Sequence, residues 1–290
     1  MIKTMTKTRE KILYLYQKGH HFCTKFNIRP SFLRQLNRFL VKKLSSDYII
    51  LEGDKIFLDP DDSMRLSTRG YYEPFITQLI KKIVKKGDIV VDIGAHIGYY
   101  TLILAKLVGE QGKVYAFEAD PANFALLKRN VGINGYKNVI MEQKAVSNSS
   151  GKVKLYLGKE RSTHHSIRKN KYSGEDYVSV ETIRLDDYFK DISIHFAKID
   201  IEGGEFEALS GMPLLLKRSK SFQIITEMVP IFLEQIKLTP EQFVQFIREQ
   251  GFKVYFIAEE NQEIIPFSAS TLDWYNPDQK VNLNLFCSRK

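Results

Sequence analysis

The chain has 290 residues, 43% hydrophobic and 27% charged, which is enough apolar material for one sizeable core and is not the composition of a disordered polymer. Its two cysteines, Cys23 and Cys287, stand far apart and no Cys/His ligand spacing exists, which excludes a disulfide framework and a zinc-finger-like site. The net charge of +9 is concentrated at one end: residues 1–43 carry 11 Lys/Arg against the single acid Glu10, and the other 247 residues carry 32 against 33.

No stretch reaches the ~18 apolar residues of a membrane span, and no apolar segment follows the basic start as in a secretory signal. A cytoplasmic location, at most peripheral to a membrane, is expected. Residues 1–47 read as a basic helical extension. Phe32, Leu33, Leu36, Phe39, Leu40 and Leu44 follow helical spacing, with Arg34, Arg38, Lys42 and Lys43 opposite. Such an element can pack on its own domain, dock another protein, or give residues 1–45 peripheral contact with an anionic membrane. It is too narrow a basic footprint for a nucleic-acid binder.

Residues 48–290 form the second expected domain. Tyr48–Leu51 and Lys55–Leu58, joined by Glu52-Gly53-Asp54, predict a hairpin. Glu73 to Lys85 has apolar positions at helical spacing. From residue 87 strands alternate with helices: strands at Ile89–Ile93, Lys113–Glu118, Asn138–Val146, Phe196–Ile201, Gln223–Met228 and Lys253–Ile257, and helices at Tyr99–Val108, Pro121–Asn134, Phe206–Leu216 and Pro240–Gln250. That alternation predicts a doubly wound α/β fold, a largely parallel sheet covered on both faces. Leu283–Cys287 has no helix before it and is free to enter antiparallel. An insertion at 151–185 reads as a hairpin around a polar loop containing Ser162, His164, His165, Ser166 and Tyr172, near the carboxyl ends of the strands where such sheets bind ligands.

The segment Asp92-Ile93-Gly94-Ala95-His96-Ile97-Gly98 is a strand running through a glycine turn into a helix. Glu118 ends the next strand, where a carboxylate can hold both hydroxyls of a ribose. The dinucleotide pattern GxGxxG is broken, since His96 stands at its second glycine. Asp92 before the turn disfavours phosphate and favours a cation. S-adenosylmethionine, a nucleoside with a sulfonium and an ammonium and no phosphate, fits better. The alternatives are an NAD-type oxidoreductase and a non-catalytic glycan-binding protein on the same fold.

Gly70-Tyr71-Tyr72-Glu73-Pro74, the run from Gly87 to Thr101, Ala116-Phe117-Glu118-Ala119-Asp120-Pro121, the run from Val180 to Asp186, and Lys198-Ile199-Asp200-Ile201-Glu202-Gly203-Gly204-Glu205 resemble the FkbM-type methyltransferases, over roughly residues 50 to 289. The resemblance implies a Rossmann-like class I methyltransferase with a seven-stranded, mostly parallel sheet and an antiparallel last strand. It also implies O-methylation of a hydroxyl on a sugar, glycan or natural product, and adenine flanked by the region of Glu142 and Ala145. His96 stands where the family commonly has Asn.

The expected cofactor residues are Glu73, Asp92, Gly94, Ala95, His96, Gly98, Tyr99, Glu118, Ala119, Glu142, Ala145 and Asp200. Methyl transfer to a hydroxyl needs alignment and a base or a metal. Asp200, Glu202, Glu227 and His165 are the candidates for that chemistry. No metal is expected, because no His ligand stands at recognisable spacing.

Overall fold

The computed structural model describes residues 47–159, 162–169, 173–274 and 282–289. The predicted basic extension and Tyr172 lie outside them. The described chain falls into two compact units that divide between Tyr72 and Glu73.

In the first unit, β1 (Tyr48–Leu51) and β2 (Asp54–Phe57) pair antiparallel across Glu52-Gly53, both at positive φ (50° and 95°). This is the left-handed two-residue turn that matches strand twist. The Asp59 and Asp62 carboxylates accept from the backbone and hydroxyls of Ser63 and Ser67, locking the loop ahead of the helix α1 (Leu66–Arg69).

The second unit begins with the helix α2 (Pro74–Ile83), then β3 (Ile89–Ile93), α3 (Tyr99–Val108), β4 (Lys113–Phe117), α4 (Pro121–Ile133) and β5 (Val139–Glu142). The insertion supplies β6 (Ala145–Val146), β7 (Gly151–Gly158) and β8 (Ser173–Ile183), a separate three-stranded sheet in the order β6-β8-β7. There follow α5 (Leu185–Tyr188), β9 (Phe196–Ile199), α6 (Glu205–Ser210), α7 (Pro213–Arg218), β10 (Gln223–Met228), α8 (Pro230–Gln235), α9 (Pro240–Glu249), β11 (Lys253–Ala258), β12 (Glu263–Pro266) and β13 (Leu283–Ser288). The main sheet has the order β12-β11-β13-β10-β9-β3-β4-β5. β10, β9, β3, β4 and β5 are mutually parallel, and β13 enters antiparallel between β10 and β11.

The doubly wound α/β fold is as read, with three corrections. The sheet has eight strands rather than seven, because Glu263–Pro266 folds back on β11. It is short and mostly exposed, and ends in a proline that only an edge tolerates, so it carries no hydrophobic alternation. The expected strand Asn138–Val146 breaks after Glu142, and Ala145 opens β6, which pairs with β8 instead of β4. The expected helix Phe206–Leu216 is two short helices. A Cβ on Gly211 between them would lie 2.2 Å from the Ser147 carbonyl oxygen, so the chain turns where two backbones meet. Among the described residues no helix is long and apolar enough to cross a membrane.

The two faces of the sheet differ. One carries Val91, Ile93, Ala197, Ile199, Ile224 and Leu285, packed into a single apolar core with Leu209 of α6, Leu215 and Leu216 of α7, and Phe243 and Ile247 of α9. On the other face the register aligns Asp92 with Lys198, Lys198 with Ile225, and Glu227 with Asn284. Side chains paired this way project to the same side. A polar stripe therefore crosses four adjacent strands near the carboxyl ends of β3, β9 and β10 and the amino end of β13, covered by the first turn of α3.

Candidate active site

The site starts at the turn after β3. Gly94 has φ 84°, and a Cβ there would fall 1.9 Å from the Asp200 carbonyl oxygen. Only glycine lets the turns after β3 and β9 approach so closely. Gly98 also has positive φ (96°), but its missing Cβ makes room for Leu127 of α4, so it serves helix packing. His96 is held left-handed at φ 51°. The amides of this turn are already used: Gly94 and Ala95 both donate to the Phe117 carbonyl (2.9 and 3.0 Å), Gly98 to the Ala95 carbonyl (2.8 Å), and His96 to Glu118 Oε2 (2.7 Å). A pyrophosphate needs free N–H donors at this point, and these four are spent.

Glu118 is buried and also accepts from the Asp120 amide at 2.8 Å. Burial pushes its carboxyl up to about 7, against the pull of the two amides. Each oxygen retains a lone pair for a ligand hydroxyl. Ala119 beside it is half-buried, and Tyr99 is buried with its hydroxyl 3.5 Å from Thr77 Oγ1. Glu142 accepts from the Tyr188 hydroxyl at 2.9 Å.

The polar stripe holds the charge. Lys198 is fully buried, donates to Asp200 at 2.9 Å, and lies 5.3 Å from the centre of the Tyr100 ring. Burial opposes its charge, but Asp200 and Glu73 overcome this and raise its affinity for the proton. Tyr100 donates to Glu73 Oε2 at 2.6 Å, and the Asn284 amide reaches Glu73 Oε1 at 3.5 Å. Asp92 accepts from Thr101 at 2.5 Å and is pushed up to about 6 by burial. Burial also raises Glu73, against Lys198. Glu227 accepts from Asn282 Nδ2 at 2.5 Å through Oε1. Its Oε2 has no partner among the described residues, and neither has Asn284 Oδ1. Burial first, then Asp200, Glu202 and Glu205, push Glu227 well above the ordinary carboxylate range.

Glu73 initiates α2 at φ 40° without capping it, since its side chain turns to Tyr100. Glu259 caps instead, accepting from the Phe75 and Ile76 amides at 2.8 and 3.1 Å. Glu205 binds the Ile201 and Gly203 amides (3.1 and 3.0 Å) and so shapes the turn after β9; burial raises it to about 7.

The insertion loop crosses these turns. Ser162 Oγ meets His96 Nε2 at 2.7 Å, His165 Nδ1 stands 3.6 Å from Asp120 Oδ2, and Ser166 Oγ donates to the Glu202 carbonyl at 2.6 Å. Arg168 donates to the Gly203 carbonyl at 2.9 Å and pairs with Glu207. The loop thus spans the carboxyl ends of β4, β3 and β9, where the sequence puts it.

The structure brings Glu73, Asp92, Asp200, Glu202 and Glu227 into one electrostatic neighbourhood, and Gly94, Ala95, His96 and Glu118 into another beside it. His165 sits with Asp120 and Glu118 at the end of β4. One placement differs from expectation: Ala145 has left the main sheet. Asp200 and Glu202 lie beyond the end of β9, with Glu202 at φ 50°, so strand alternation does not set their direction. Tyr100, Asn282, Asn284 and Glu205 carry no local signal of a role in the site, whereas Lys198 stands alone inside Phe196-Ala197-Lys198-Ile199, and a central parallel strand buries a charge only with partners.

Residues 92–254, more than half of the chain, match the methyltransferase FkbM domain. The chain is similar to methyltransferase sdnD of Sordaria araneosa, with 25% identity over 197 residues, 57% of this chain and 73% of that one. It is 32% identical over 123 residues to the ribosomal protein L11 methyltransferase of Caldanaerobacter subterraneus subsp. tengcongensis, matching 41% of this chain but only 38% of that one. Among solved structures it resembles a SAM-dependent methyltransferase from Aquifex aeolicus, at 16% identity and a TM-score of 0.43, covering 80% of this chain and 100% of that one. The chain belongs to the FkbM methyltransferase domain family, and S-adenosylmethionine is the methyl donor expected of it.

Proposed function

We propose that the protein methylates a hydroxyl oxygen on a sugar, glycan or natural product, with Glu227 as the proton acceptor. One observation carries the reading: four buried or half-buried carboxylates, Glu73, Asp92, Asp200 and Glu227, surround a single buried cation, Lys198. An uncompensated buried charge is costly, so this surplus of acid suits a cationic ligand and repels a phosphate. The committed amides of the glycine turn point the same way.

Glu118 would hold the ribose hydroxyls, and Glu73 and Asp92 would supply negative potential to the cationic end. S-adenosylmethionine, when bound, supplies an electrophilic methyl carbon on a positively charged sulfur. The protein's own part is alignment and proton removal. The acceptor O–H gives its proton to Glu227 Oε2 as the new O–C bond forms and the C–S bond breaks, leaving a neutral thioether. Glu227 suits this role because burial and the neighbouring carboxylates raise its affinity for a proton. Lys198 holds Asp200 in place through their 2.9 Å contact, so that it orients the acceptor.

Two measurements test the reading. Calorimetry should give binding of S-adenosylmethionine and S-adenosylhomocysteine and none of NADH. Transfer of labelled methyl to a panel of alcohols, sugars and amines should place the label on oxygen, and label found only on nitrogen would overturn it.

A further inference from the structure

We infer that Asn284 and Glu227 together form a subsite for two neighbouring hydroxyls of the acceptor, so that the protein selects a vicinal diol and methylates one of its oxygens. This rests on the proposed O-methyl transfer.

The argument begins with two orphaned atoms. Glu227 Oε2 and Asn284 Oδ1 are both buried and have no hydrogen-bond partner among the described residues. Burying such groups unpaired costs about 1–3 kcal/mol each, and native proteins keep them where a ligand completes them. Both residues have their other polar atom engaged. Asn282 holds Glu227 Oε1, and Glu73 accepts from Asn284 Nδ2. That second contact, at 3.5 Å, sets the amide nitrogen toward Glu73 and the oxygen away from it. Each side chain is therefore anchored through one atom and presents an acceptor through the other.

The register makes them a pair. Glu227 and Asn284 are direct partners across β10 and β13, which puts their Cβ atoms about 4.5–5.5 Å apart on one face. Two adjacent hydrogen-bond acceptors call for a ligand with two adjacent donors. A single alcohol satisfies one and leaves the other bare. A vicinal diol satisfies both: one hydroxyl on Glu227, which takes its proton, and its neighbour on Asn284.

The position in the sheet separates this pair from the ribose of the donor. Glu118 ends β4, and β10 lies three strands away in the order β10-β9-β3-β4. At ~4.8 Å per strand this is about 14 Å, well beyond the reach of a ribose held at Glu118.

The test uses the full-length protein, S-adenosylmethionine with a labelled methyl group, and a set of methyl glycopyranosides with their singly deoxygenated analogues, cyclohexanol and methylamine. At least one intact glycoside should accept label, and removing the hydroxyl next to the methylated one should lower kcat/KM at least tenfold, mainly through KM. Asn284→Leu should abolish that difference by reducing the intact glycoside to the level of its deoxy analogue. Asn284→Gln, which retains both the acceptor oxygen and the amide donor, should preserve part of it. Asn284→Leu should bind S-adenosylhomocysteine within threefold of wild type. A tenfold loss would place these atoms on the cofactor and overturn the inference.

Equal rates for intact and deoxy sugars, equal slowing of both by Asn284→Leu, or no glycoside bound or methylated would also overturn it. If Asn284→Leu does not fold, the wild-type deoxy series decides. Label on methylamine alone refutes the O-methyl reading itself, whereas label on cyclohexanol as readily as on the glycosides refutes only the diol.

Discussion

The carbonyl oxygen of Asp200 occupies the space that a side chain on Gly94 would need, 1.9 Å from the ideal Cβ position. The turns after β3 and β9 are in backbone contact, and the carboxylate of Asp200 takes its place from that contact.

Gly94→Ala should therefore be among the most damaging single-atom changes in the chain. It adds a clash with backbone and requires φ near 84°, and the expected cost is about 3 kcal/mol or more. The melting temperature should fall by roughly 6 °C or more, and calorimetry should find no S-adenosylhomocysteine binding. A variant that melts and binds like wild type would show that the two turns separate freely.

Lys198→Met should destabilise by about 3 kcal/mol, because it leaves the half-buried Asp200 and Glu73 without their cation. The loss should be larger at pH 8 than at pH 5.5, where protonation neutralises part of the cluster. Urea denaturation at the two pH values measures both quantities.

Glu118 binds its proton more tightly in the folded protein, at about 7, than an unfolded glutamate near 4.5. Between those values the native state holds more protons than the unfolded one, so this group's contribution to stability falls as pH rises and is lost by about pH 7. The span is on the order of 3 kcal/mol. Glu118→Gln should flatten the pH dependence of the apoprotein's urea midpoint between pH 5 and 8. It should also weaken S-adenosylhomocysteine binding at least tenfold.

Affinity for the sulfonium should rise with pH between about 5.5 and 7.5. Asp92, at about 6, ionises as pH climbs and attracts the cation. S-adenosylhomocysteine lacks the sulfonium charge and should show a shallower slope. Parallel slopes in calorimetry would mean that the carboxylates do not sense the sulfur.

Glu259→Ala should cost about 1–2 kcal/mol, the usual value of a helix cap. It should also weaken cofactor binding, because α2 carries Glu73 at its start. Glu259→Gln should recover part of both losses.

Much of this was legible in the chain itself. The glycine turn, Glu118, and the acids after β9 and in β10 announce themselves through strand, turn and helix signals that are local. The residues that complete the site were harder to see, because their roles depend on pairing across long sequence distances. Asn284 matters because β13 inserts beside Glu227, and Glu259 because it reaches a helix 184 positions away. The path of the insertion sets His165 against Asp120, a pairing between distant parts of the chain. The break after Glu142 was hidden because Ala145-Val146 remains strand, only in another sheet.

The contrast between the apolar core on one side of the sheet and the ionic stripe on the other has an evolutionary consequence. Leu, Ile and Phe on the first can exchange for one another while volume is kept. On the second, each group answers to the charge of its neighbours, so a change at Glu73, Lys198 or Glu227 calls for a compensating change on another strand. Drift can proceed one substitution at a time on one side of this sheet, and on the other only in matched pairs.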